Sequence, residues 1–342
     1  MTTPTSEPRP SRRAVLALGA GAVLGVAGWE AARYFVGPAV SADPEPEAPP
    51  LKAVIDVHVH LVHTNLAGVP AKRLPDDKPF PQGIDELARA VQAEMKAAGV
   101  AQLLGMPRRE PNDADPLGVA DTRQVAARIA GVHPVGFADP ERFDDKHLGR
   151  VEDELKKGDV KALKAYLGYV HRAPDDPGYR PYYRLAAKYK IPVIFHTGDT
   201  YSQQARLKFA HPLRVDDVAV DYPETKFVLA HMGNPWLIDA AQVVYKNNKK
   251  GQRENVYVDL SGLLIGSAET FATYRKEGVL KSVAADVRKS FDYAERPEAF
   301  LYGSDWPLAP MAAYRDFVRD MIPPAYHQAV FHDNAKALFQ LP

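Results

Sequence analysis

Strand-like and helix-like segments alternate eight times along this chain, and that alternation limits the folds open to it more than any other feature. Apolar, β-branched runs read as strands at 53–57, 100–104, 132–137, 160–166, 191–195, 226–230, 256–260 and 300–302. Helical spacing fills the intervals. Ile84, Leu87, Ala88, Val91 and Met95 recur on one face and Gly99 closes the run. Helices are expected over 122–130, around Leu148, Val151 and Leu155, and over 182–189, 215–220 and 236–247. Poorly punctuated helix is expected over 269–293, then helices over 310–320 and 325–339. Strict alternation argues for a parallel sheet. Eight units argue for closure into an α/β (β/α)8 TIM barrel, which at about 250 residues plus insertions uses most of the 342 present.

The strands share a second property. Val54-Ile55-Asp56-Val57-His58-Val59-His60 is an apolar strand that ends by projecting two histidines. Strict alternation puts His58 and His60 on one face, with Asp56 one step earlier on the same face. Two neutral imidazoles about 7 Å apart along a strand can converge on one metal ion. The plain alternative is a strand that happens to carry two histidines. The same grammar recurs: 191–198 runs to His196, 226–233 to His231, and 300–307 to Asp305. Each polar residue stands where a strand stops and a Gly or Pro turn begins. Four such ends in one chain suggest that the C-terminal ends of parallel strands meet at a common site, where a barrel of this kind carries its chemistry.

Composition removes several function classes. Lys plus Arg and Asp plus Glu are 43 each, so no net charge favours nucleic acid as a partner. No Gly-rich phosphate loop occurs, so a nucleotide cofactor has no support. Cysteine is absent, which excludes disulfides and thiolate metal sites and leaves His and carboxylate as ligands.

Residues 1–42 read as a twin-arginine export signal, with Ser11-Arg12-Arg13, an apolar Gly/Ala-rich stretch from Ala14 to Trp29, and a small-residue site at Val40-Ser41-Ala42. The expected location is the periplasm or the extracellular space. A membrane anchor is the alternative if the signal is retained, although the stretch is shorter than the ~20 residues that span a bilayer. Residues 43–50 form a Pro/Glu-rich linker, and 51–342 the barrel.

Taken together, these pieces resemble the amidohydrolase superfamily, and within it the amidohydrolase-related branch of single-metal enzymes similar to aminocarboxymuconate-semialdehyde decarboxylase. The D-x-H-x-H of 56–60, the P-V-I-F-H-T-G of 192–198, the A-H-M-G of 230–233, the G-S-D-W-P of 303–307 and the N-A-x-x-L-F ending at 334–339 carry the likeness in order. The resemblance implies that His58, His60, His196 and Asp305 ligate one divalent metal, zinc or alternatively manganese. It implies a second-sphere acid/base role for His231 and a proton-accepting role for Asp305. Zinc would lower the pKa of a bound water from 15.7 to about 7. Two-metal members use a carbamylated lysine on strand four. Lys164 alternates with Ala162 and Tyr166 and so can face the barrel interior, with Lys161 facing away; the other reading pairs Lys164 with a carboxylate or a substrate anion.

Loop residues supply weaker candidates. Tyr169, His171 and Arg172 follow strand four and Arg206 follows strand five, where a cation would hold an anionic substrate or simply be solvated. His63 lies close to the ligand pair, His133 and His211 read as structural, Asn234-Pro235-Trp236 as pocket wall, and Trp306 as wall or core. The leading expectation is a hydrolase in which metal-activated water attacks an ester, lactone or amide carbonyl of a small molecule. The alternative is a metal-dependent non-oxidative decarboxylase of an aromatic or unsaturated acid, and the third reading is a non-catalytic metal- or ligand-binding barrel. Barrels of this kind often pair, so a homodimer is also an expectation.

Overall fold

Eight parallel strands form in chain order: β1 (Val54–Val59), β2 (Val100–Gly105), β3 (Val132–Phe137), β4 (Ala162–Ala165), β5 (Val193–Phe195), β6 (Phe227–Leu229), β7 (Val256–Asp259) and β8 (Phe300–Leu301). Each is hydrogen-bonded to the next. The last is joined to the first by Val57 N–H to Tyr302 O (3.0 Å), Asp305 N–H to His58 O (2.9 Å) and His60 N–H to Trp306 O (2.7 Å). The barrel therefore closes, as the alternation requires, and the seam runs through the two segments that carry His58, His60 and Asp305. This computed structural model describes residues 51, 53–61, 79–81, 83–108 and 110–342. The export signal, the linker, His63 and most of the loop after β1 lie outside the described residues.

Helices cover the barrel because each has an apolar stripe to bury. Ile84–Ala98 presents Leu87, Ala88, Val91, Met95 and Ala98 inward. Inside the barrel, Ile55, Val57, Leu104, Val135, Ala162, Ile194, Val228 and Leu301 meet one another. Ala335, Leu338, Phe339 and Leu341 join that cluster and fill the end opposite the histidines. Asn334 anchors this terminal segment, its Nδ2 donating to Pro297 O and Phe300 O, both at 2.9 Å.

Three helical expectations need correction. The stretch expected over 269–293 is two helices, Ala268–Lys276 and Val279–Ala294, with Gly278 between them at φ 80°. The helix expected over 122–130 is Ala120–Ala126. The terminal helix expected over 325–339 breaks into a 3-10 turn (Pro324–Tyr326), a π turn (Ala329–Asp333) and a short helix (Asn334–Leu338). Tyr302 N–H bonds to Val330 O at 3.1 Å, so that carbonyl is shared with the barrel wall rather than committed to a regular helical ladder. Among the described residues no helix is long and apolar enough to cross a membrane.

Candidate functional site

The histidine pair faces the barrel interior for a reason that simple alternation misses. Ile55 and Val57 pack in the interior cluster, so alternation alone would send His58 outward. The register from Asp56↔Leu103 to Val59↔Gly105 spends three steps on β1 against two on β2, a β-bulge that resets which side is inward. Asp56 therefore does not share the face of His58 and His60. It is buried, and its Oδ1 accepts from Ser304 N–H (3.0 Å) and His58 N–H (3.1 Å), pinning the seam. Burial pushes its carboxyl up to about 7, against the lowering effect of Ser304 and the His58 amide.

His231 and Asp305 reach the same space through backbone that L-residues rarely adopt, with φ of 60° at both. Strain of this kind costs about 1–3 kcal/mol per residue and concentrates where side chains must be aimed. His58, His60 and Asp305 then offer ligand atoms that all lie within 4.8 Å of one another. Asp305 Oδ1 is buried and makes no hydrogen bond, while Nε2 of His60 and of His58 stand 3.3 Å and 3.7 Å from it. Two imidazole nitrogens and an orphaned carboxylate oxygen converging on one point fit a divalent cation, and the N/O donor set suits zinc or manganese.

Electrostatics agree with that convergence. Burial opposes the charge on Asp305, but His231, His60 and His58 outweigh it and hold the carboxyl well below the usual range. Burial also pushes His58, His60 and His196 below the ordinary imidazole range, and His231 down to about 4. The histidines are neutral at pH 7, the form that ligates metal.

His196 lines the same cavity, its ring 5.0 Å from that of His231, but its Nε2 lies 2.9 Å from Asp199 O. It stands beside the converging trio rather than within it. Lys164 is fully buried and faces inward as expected, its Nζ 3.4 Å from His58 Nε2 and 5.3 Å from the Tyr166 ring centre. Burial lowers its pKa to about 8.

The cavity above the trio measures about 280 Å³. Tyr166, Tyr169, Tyr201 and Tyr274 line it with Leu263, Leu264, Ile265 and Leu308, and Asn234 and Asp199 add polar groups. That volume lies just below the ~300–1,000 Å³ of ligand pockets, and ring-faced walls suit one planar ring. Arg172, Arg206 and Trp306 do not belong to this wall. Arg172 is exposed, 3.7 Å from Asp176 and 3.8 Å from Glu141. Arg206 is exposed at the start of the short helix Leu207–Ala210. Trp306 is fully buried against Phe80. His171 bonds Gln204 O, His133 bonds Gln102, and His211 packs at a tilt against Trp236.

Sequence reasoning missed the floor of the site. Asp259 ends β7 and Ser261 and Gly262 follow it. Asp259 Oδ2 lies 3.0 Å from His58 Nδ1. A Cβ at Gly262 would stand 2.5 Å from His231 Nδ1 and 2.9 Å from Asp305 Oδ2. The signal was present, since Val256-Tyr257-Val258-Asp259 is a fifth apolar strand ending in a polar residue before a Gly turn.

A protein-family model described as amidohydrolase matches residues 55–341. Among solved structures, 5-carboxyvanillate decarboxylase from Sphingomonas paucimobilis is similar at TM-score 0.56 and 16% identity, with 85% of this chain and 99% of that one covered. A dihydroxybenzoic acid decarboxylase from Polaromonas sp. JS666, with bound manganese, gives TM-score 0.56 and 15% identity over 84% and 97%. A probable 2-pyrone-4,6-dicarboxylic acid hydrolase from Acinetobacter baumannii gives 0.54 and 12% over 84% and 99%. At these identities the likeness establishes the fold alone. A search of curated sequences gives no match.

Proposed function

The chain belongs to the amidohydrolase family, and from that premise we propose that it is a metal-dependent, non-oxidative decarboxylase of a small aromatic carboxylic acid. The observation that carries the reading is the site itself: a converging His58–His60–Asp305 trio under a cavity walled by four tyrosines. The likeness to structures of a 5-carboxyvanillate decarboxylase and a dihydroxybenzoic acid decarboxylase adds support. His58, His60 and Asp305 would hold one divalent cation, manganese or zinc, with His196 as a further ligand if its Nε2 leaves Asp199 O. Such a cation supplies charge stabilisation to a substrate carboxylate or phenolate oxygen.

The chain's own groups account for the proton. His231, pushed down to about 4, is a neutral base at pH 7. It accepts the phenolic proton of a hydroxylated aromatic acid. As the bond to the carboxylate breaks and carbon dioxide leaves, the proton returns to the ring carbon and the product departs as the phenolate. The tyrosines and Leu263, Ile265 and Leu308 hold the ring and exclude water from that transfer.

Hydrolysis of a lactone or ester is the second reading. Its support is that an imidazole and a carboxylate stand together beside the cavity, with His231 Nδ1 and Asp305 Oδ2 4.0 Å apart. Export by the twin-arginine route remains part of the proposal and is read by cell fractionation. The deciding experiment loads the purified protein with manganese or zinc and presents hydroxybenzoic acids, lactones and esters. Carbon dioxide release that disappears in His60→Ala supports the decarboxylase. Acid production from lactones without carbon dioxide replaces it with the hydrolase, and turnover of neither class overturns both.

A further inference from the structure

Asp259 is fully buried, and four donors surround its carboxylate. Oδ2 faces His58 Nδ1 at 3.0 Å. Oδ1 accepts from His231 N–H (3.0 Å), Ser261 N–H (3.1 Å) and Ser261 Oγ–H (2.5 Å). Two backbone N–H groups and a hydroxyl on Oδ1, with an imidazole nitrogen at Oδ2, match the ionised form, so Asp259 is a carboxylate that only accepts.

That fixes where protons sit. An acceptor opposite His58 Nδ1 requires Nδ1–H, which leaves the lone pair on Nε2. Lys164 Nζ, a donor, faces that same Nε2 at 3.4 Å and agrees. The one hydroxyl proton of Ser261 points to Asp259, so Ser261 Oγ is an acceptor toward His231 Nδ1 at 2.9 Å. The carbonyl of Ser261, also acceptor-only, lies 3.2 Å from the same nitrogen. His231 therefore also carries Nδ1–H and keeps its lone pair on Nε2.

We infer that Asp259, with Ser261, is a positioning residue that sets the tautomers of both imidazoles at once, leaving His58 Nε2 to ligate metal and His231 Nε2 to accept a proton. The inference deepens the metal-dependent reading above and rests on it. The ligand atoms of His58, His231 and Asp259 also lie within 4.8 Å of one another. They are a hydrogen-bonded relay rather than a second metal site, because Oδ1 already receives three donors and Oδ2 the His58 N–H.

The test is tautomer assignment by 15N NMR of histidine-labelled full-length protein, paired with manganese(II) titration read by the electron spin signal of the free ion. Wild type is expected to show protonated Nδ1 at His58 and His231. In Asp259→Asn the side-chain amide can donate, which favours His58 protonated at Nε2, and manganese affinity is expected to fall about 10–100-fold. Ser261→Ala keeps the Asp259–His58 bond, so it should keep manganese affinity while lowering kcat with little change in KM. Protonated Nε2 at His58 in wild type, or wild-type manganese affinity in a folded Asp259→Asn, overturns the inference. If Asp259→Asn does not fold, the wild-type tautomers alone decide it. A wild type that binds no manganese or zinc overturns the metal reading, while its NMR spectrum still judges the tautomers.

Discussion

At the scale of single residues, the site depends on how closely atoms may approach. Gly262 at φ 62° lies under His231 and Asp305, both themselves in the left-handed region. Any side chain there meets His231 Nδ1 and Asp305 Oδ2, the two groups on which the proposed chemistry rests. Gly262→Ala is expected to keep the fold by circular dichroism yet lower kcat by about 100-fold, the scale at which a misplacement of about 1 Å acts. Unchanged kcat would show that His231 can shift without consequence. Polar residues at strand ends were legible in the sequence because they interrupt apolar runs just before a turn. Asp259 carries the same mark, but it acts by accepting hydrogen bonds, and nothing in its local pattern separates that from capping a turn.

At the scale of elements, hydrophobic periodicity located all eight strands and most helices, since burial on a face is what periodicity records. It failed where the backbone leaves its regular path. The β1 bulge changes which residues face inward without changing composition, so Asp56 was placed with the histidines although it pins the seam instead. The terminal segment failed for a related reason: Val330 O serves Tyr302 N–H, a partner far away in the sequence. Asn334 holds that segment to the start of β8 through two carbonyls. Asn334→Ala leaves Pro297 O and Phe300 O without this donor and is expected to cost about 1–3 kcal/mol, read as a lower urea midpoint with unchanged slope. An unchanged midpoint would mean that water replaces the amide freely.

At the scale of the whole molecule, burying four imidazoles in one barrel ties folding to pH. Their folded pKa values lie below the ordinary 6.5, mainly through burial, with His231 at about 4. The unfolded chain then takes up protons that the fold refuses, so stability is full above about 6.5 and is lost as pH falls toward 4. Asp56, raised to about 7, opposes this, but it is one group against four. Asp259 and Asp305, both lowered, contribute above 3.8 and add their loss only below that window. The melting temperature of metal-free protein should therefore fall between pH 7 and pH 5 in calorimetry, and a flat profile would mean that the buried histidines are already charged. The seam between β1 and β8 has a further consequence during synthesis. The histidine pair leaves the ribosome on a strand whose outer edge is unsatisfied until Tyr302 and Trp306 arrive, about 245 residues later. Until then the nascent protein carries an apolar strand with one open edge, a template for pairing with other chains. The His58–His60 half of the cluster is thus made before Asp305 completes it, and that edge stays open while β2 to β7 are made.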